Sequence, residues 1–185
     1  MFPIGGYPVM LLGALGVGAA LVVLAVLAGR WMRWLSAWSV AGLLWSLAVI
    51  ALVTLIPAQG APGIVPAEGR LDSCSWDIGG PAPDGFWIFE SGQRLLNTLL
   101  FVPSGVLVVL AATRLRGVWP WLLVPLGVVA LAAYSIGIEA VQLWLARIDR
   151  ACDVTDVIDN VTGALIGVVA GVGGVAVARV LRSHP

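Results

Sequence analysis

DVTDVIDNVTGALIGVVAGVGG, from Asp153 to Gly174, is the stretch on which the fold turns. At about 100° per residue, Asp156, Asn160, Gly163, Gly167, Gly171 and Gly174 fall on one narrow face of a helix. That face is polar at its start and bare backbone further along. Gly163, Gly167 and Gly171 form two overlapping G-x-x-x-G steps, a spacing that lets a second helix approach closely where lipid gives no hydrophobic drive for association. A packed membrane helix with a hydrophilic mouth is the expectation from which the rest is read.

The remainder of the chain supports a lipid-solvated fold. With 60% hydrophobic residues in 185 and a mean hydropathy of +1.01, the apolar surface exceeds what one small water-soluble core can bury. Five apolar stretches are long enough for a hydrocarbon layer of about 30 Å. They cover residues 8–29, 36–56, 95–113, 118–145 and 156–181. The chain thus reads as one all-α membrane domain, a polytopic transmembrane helical bundle of about five spans. No secretory signal peptide is expected, because the first charge, Arg30, follows the first apolar run instead of preceding it. All ten basic residues are Arg and are balanced by ten acids, so nothing points to nucleic acid as a partner.

Arginine placement predicts the orientation. Arg30 and Arg33, Arg114 and Arg116, and Arg179 and Arg182 occupy the first turn, the third turn and the tail, all without acids. The positive-inside pattern then puts the amino terminus outside and the carboxyl terminus inside. Trp31, Trp34, Trp119 and Trp121 are expected at the inner boundary and Trp144 at the outer one. The connection 57–94 becomes an extracytoplasmic loop rich in Gly and Pro. Phe86, Trp87, Ile88 and Phe89 in it are apolar enough to dip into the interface. Cys74 and Cys152 fall on the same outer side, where a disulfide persists; a bridge across the loop and two free thiols are the two alternatives.

Polar residues inside spans carry the functional reading, since hydrocarbon penalises a charge at a helix centre by roughly 2.5 to 3.5 kcal/mol on insertion scales. Glu139 and Gln142, three apart, share a face of the fourth span. Glu139 lies about 9 Å below the outer boundary and Asn160 at a comparable depth in the fifth. Arg94 and Asn97 open the third span, where Asn97, Phe101 and Ser104 share a face, and Pro103 predicts a kink near Leu99. Arg94, Asn97, Glu139, Gln142, Arg150, Asp153, Asp156 and Asn160 are therefore expected around one outer-leaflet cavity. Three chemistries fit it: a divalent cation on oxygen ligands, a phosphate or carboxylate on Arg94 and Arg150, or acid/base work by Glu139 or Asp156. Architectural alternatives stand beside these. Asp153 or Thr155 can cap the last helix, and a Glu139–Arg150 ion pair can fix helix packing.

Asn97-x-x-x-Phe101-x-Pro103-x-Gly105, then Glu139-x-x-Gln142, then Arg150-x-x-Asp153-x-x-Asp156-x-x-x-Asn160-x-x-Gly163-x-x-x-Gly167 resembles the VanZ-like family of bacterial membrane proteins. The resemblance runs from Arg94 to Gly167. It departs at Ser104, where the family often has an apolar residue, and in a slightly long turn between Gln142 and Arg150. Phe101, Pro103 and Gly105 are assigned with Gly163, Gly167 and Gly171 to helix packing. The family's namesake is associated with teicoplanin resistance, which implies a multi-pass protein of the bacterial plasma membrane acting on or shielding an envelope component. Binding of an anionic lipid head group or lipid-linked cell-wall precursor is the leading expectation. A membrane-embedded enzyme on such a substrate and a small proton-coupled transporter are the alternatives.

Overall fold

The computed structural model describes residues 5–31, 33–56, 73–78, 92–113, 115–145 and 152–183. Arg150, Phe86 to Phe89 and most of the long connection lie outside the described residues. Five helices follow one another: α1 (Tyr7–Ala28), α2 (Trp34–Leu55), α3 (Gly92–Ala112), α4 (Trp119–Leu145) and α5 (Val154–Ser183). All five are long and apolar enough to cross a membrane. Among the described residues the only extended pairing is one parallel bridge between Ser75 and Asp153.

Local chemistry sets the helix ends. Gly6, at φ 87°, turns the chain into α1, and Pro8 sits at the helix start, where a missing N–H costs little. Gly117, at φ 68°, makes the left-handed step between α3 and α4. At the start of α5, Asp153 Oδ1 accepts the Thr155 N–H at 2.8 Å. Asp156 in the first turn places a carboxylate at the positive end of the helix dipole. Capping is therefore the observed role of Asp153. Helix α3 begins at Gly92, before the expected Leu95, which makes Arg94 a helical residue. It continues through Pro103. Contrary to its assignment as a packing residue, Pro103 is exposed. Its ring lies on the outward side, so the disturbance proline imposes on the preceding turn spares the inter-helix face.

Side-chain contacts give the bundle's register. Helix α1 packs antiparallel on α2, with Gly13 against Leu52 and Gly18 against Trp45. The Trp45 indole donates to the Ala14 carbonyl at 2.9 Å. Helix α1 buries only Ala25; apolar on every side, it faces lipid. Helix α2 meets α3 through the hydroxyls of Ser46 and Ser104, 2.7 Å apart, and α4 through Tyr134, whose hydroxyl donates to the Leu47 carbonyl. The tightest seam is between α3 and α5, which run parallel. A Cβ on Gly163 would strike the Thr98 carbonyl, one on Gly167 that of Val102, and one on Gly105 that of Ala164. Backbone touches backbone there, the arrangement small residues permit in lipid. Further along, Gly171 would meet Val109 Cβ at 3.0 Å, and Gly173 and Gly174 meet nothing within 4 Å. Helix α3 ends at Ala112 while α5 runs on to Ser183. Between the helices Ile50, Phe101, Val108, Leu131, Ile138 and Ala164 form the apolar core.

Candidate functional site

The end of the bundle holding the starts of α3 and α5 and the ends of α2 and α4 is a buried polar layer. Arg94 from α3 reaches Asp159 on α5 in a two-pronged pair: Nε donates to Oδ2 and Nη2 to Oδ1, each at 2.8 Å. Asp159 is 0% exposed. A carboxylate removed from water to that degree requires a cation with matched hydrogen bonds, and the planar guanidinium fork supplies both. The pair lies at the top of the glycine seam, where Thr98, one turn below Arg94, donates its hydroxyl to the Arg94 carbonyl at 3.0 Å.

Asn160, the next residue on α5, turns to α4 and donates through Nδ2 to Ser135 Oγ at 2.9 Å. Glu139, 4% exposed, accepts the Asp153 backbone N–H at 2.9 Å and so ties α4 to the mouth of α5. Gln142, one turn on, donates to the Thr54 carbonyl of α2 at 3.0 Å. The layer thus spans α2, α3, α4 and α5. Beside it, Cys74 and Cys152 form a disulfide, which decides between the two cysteine alternatives. The Ser75 N–H donates to the Cys152 carbonyl and the Val154 N–H to that of Ser75, both at 3.0 Å. The Thr155 hydroxyl adds a bond to the Asp77 carbonyl.

Two polar atoms of this layer stand out. Asn97 Nδ2 and Gln142 Oε1 are buried and meet no hydrogen-bond partner among the described residues. One is a donor and the other an acceptor. Buried groups of this kind ordinarily find a partner, and leaving one unmet costs about 1–3 kcal/mol. Asn97 shares its helix face with Phe101 and Ser104, which contact α4 and α2. That face turns Asn97 toward α4 and α2.

Of the residues expected to share a site, Arg94, Glu139, Gln142, Asp153 and Asn160 come together with Asn97 at this one end. Asp156 is half-buried in the first turn of α5. Arg94 differs from the expectation, since its guanidinium is engaged by Asp159 and is not an open anion receptor. The Glu139–Arg150 pair lies outside the described residues. Asp159 is the residue of this polar layer that the sequence reading did not include. Its signal was the spacing of three through Asp153, Asp156 and Asp159, which carries acids a full turn below the helix mouth. Among the described residues no group of three His, Cys, Asp or Glu is placed to hold a metal ion.

Five membrane-length helices joined by a buried polar layer define a multi-pass helical membrane protein. Residues 19–175 match the VanZ/LLP1 family, and the chain belongs to it. The match runs from the second half of α1 into α5 and so extends well before the stretch Arg94 to Gly167 that carried the resemblance. No curated protein and no solved structure matches the chain.

Proposed function

We propose that this chain is a VanZ-like protein of the bacterial plasma membrane, with its amino terminus outside and its carboxyl terminus inside. In this reading its polar end binds the head group of a lipid-linked cell-wall precursor in the outer leaflet and so lowers susceptibility to teicoplanin-like glycopeptides. The observation that carries the reading is the pair of unmet buried atoms, Asn97 Nδ2 and Gln142 Oε1. A head group rich in hydroxyls and amides offers an acceptor to the first and a donor to the second. Because Arg94 is neutralised by Asp159, hydrogen bonding and not net charge does most of the selecting within the described layer. The phosphate of the precursor falls to Arg150 in this assignment.

Asn97→Leu and Gln142→Met test it, since both keep approximate volume and remove the unmet atoms. The expected outcome is membrane insertion and an intact Cys74–Cys152 bridge, together with lost photocrosslinking to an undecaprenyl-linked precursor. Teicoplanin susceptibility should rise to that of cells without the chain. Full protection and undiminished crosslinking in both variants would sink the reading.

A further inference from the structure

At the opposite end of the bundle a cleft of about 600 Å³ opens between α3, α4 and α5. It exists because α5 overshoots α3 and the glycine seam has loosened by Gly174. Its lining is graded by depth. Arg179, Thr113 and Trp121 sit near the helix ends, while Val109, Val124 and Val172 lie one to two turns further in. On each of the three helices, therefore, the polar or aromatic residue is at the rim and the aliphatic ones are in the floor.

The charge around the rim has one sign. Arg116, Arg179 and Arg182 are exposed, and no acidic residue occurs between Ser91 and Ile138 or after Asp159. Arg179 makes no ion pair or hydrogen bond among the described residues. Trp121 is 81% exposed beside it, an amphipathic ring of the kind that settles at the head-group level. We propose that this cleft is a binding site for one anionic phospholipid, its acyl chain on Val109, Val124 and Val172 and its phosphate on Arg179. Basic pockets between membrane helices recognise such head groups through charge, while aliphatic walls accept the chain. This site is separate from the polar layer and uses none of its residues.

Native mass spectrometry of the purified full chain, titrated with phosphatidylglycerol or with phosphatidylcholine, tests the assignment. The wild type should retain phosphatidylglycerol more tightly. Arg179→Gln should weaken it by about five-fold, the order expected for one basic group, with phosphatidylcholine unchanged. Arg182→Gln, at the same basic end but outside the cleft lining, should weaken phosphatidylglycerol less than Arg179→Gln and leave phosphatidylcholine unchanged, and Val172→Trp, which fills the floor, should displace both. An unchanged Arg179→Gln variant, equal losses in Arg179→Gln and Arg182→Gln, or full lipid retention by Val172→Trp would each overturn the proposal.

Discussion

The two ends of this bundle handle charge in opposite ways. At one, Arg94 is buried and engaged by Asp159, amides and hydroxyls cross-link four helices, and a disulfide fastens the segment around Ser75 to the start of α5. At the other, Arg116, Arg179 and Arg182 are exposed, the helices part, and a cleft opens. The difference teaches that a charge deep among membrane helices is tolerated when a partner is built in, whereas one at the rim needs only water or a lipid head group.

The contrast can be broken most severely at Asp159. Replacing it with Ala removes the buried carboxylate that holds the Arg94 guanidinium in two hydrogen bonds. The expected loss is about 3–5 kcal/mol, read as a lower melting temperature in detergent and reduced accumulation in the membrane. Arg94→Leu combined with Asp159→Leu should restore much of it, because lipid-buried apolar groups need no pairing. Next in size is the disulfide. Cys74→Ser or reduction should cost about 2–4 kcal/mol. Amide exchange should accelerate at Val154 to Asp159 and stay constant at Val172 to Ser183, which would localise the clamp to the polar end.

A smaller effect separates the two ends of the glycine seam. Gly163→Ala forces a methyl group against the Thr98 backbone and should lower stability by about 1–3 kcal/mol. Gly174→Ala, in open space, should be neutral or slightly stabilising through helix propensity. Thermal unfolding of the two variants side by side measures the asymmetry; equal losses would mean that the seam is uniform. Arg182→Gln should leave the melting temperature unchanged, in contrast to any change at Arg94.

How much of this could be read before the fold was known differs from residue to residue. Each helix shows its own phase in the spacing of its residues, so the glycine face of α5 and the shared face of Glu139 and Gln142 were legible. Which helix meets that face was not, because G-x-x-x-G spacing fits any close neighbour. Gly105, opposite Gly167, identifies the neighbour as α3 only in three dimensions. Arg94 was expected at a shared cavity as an anion binder, with no partner within the chain assigned to it. The pair with Asp159 depends on the rotation of α5 about its axis, which periodicity does not supply. Pro103, too, could have faced inward or outward.

Composition and hydrophobic run length alone pointed to five membrane helices, since apolar runs of about 20 residues match the bilayer core and a helix satisfies its polar backbone groups within itself. The placement of its arginines alone determined which end is basic. Only the tertiary structure decided that Arg94 pairs with Asp159, that Cys74 meets Cys152, and that Asn97 and Gln142 each keep one buried atom with no partner among the described residues. Those outcomes depend on helix rotation and on which helices are neighbours. Both are settled by close packing at the glycine seam, where a single added Cβ would push the backbones apart.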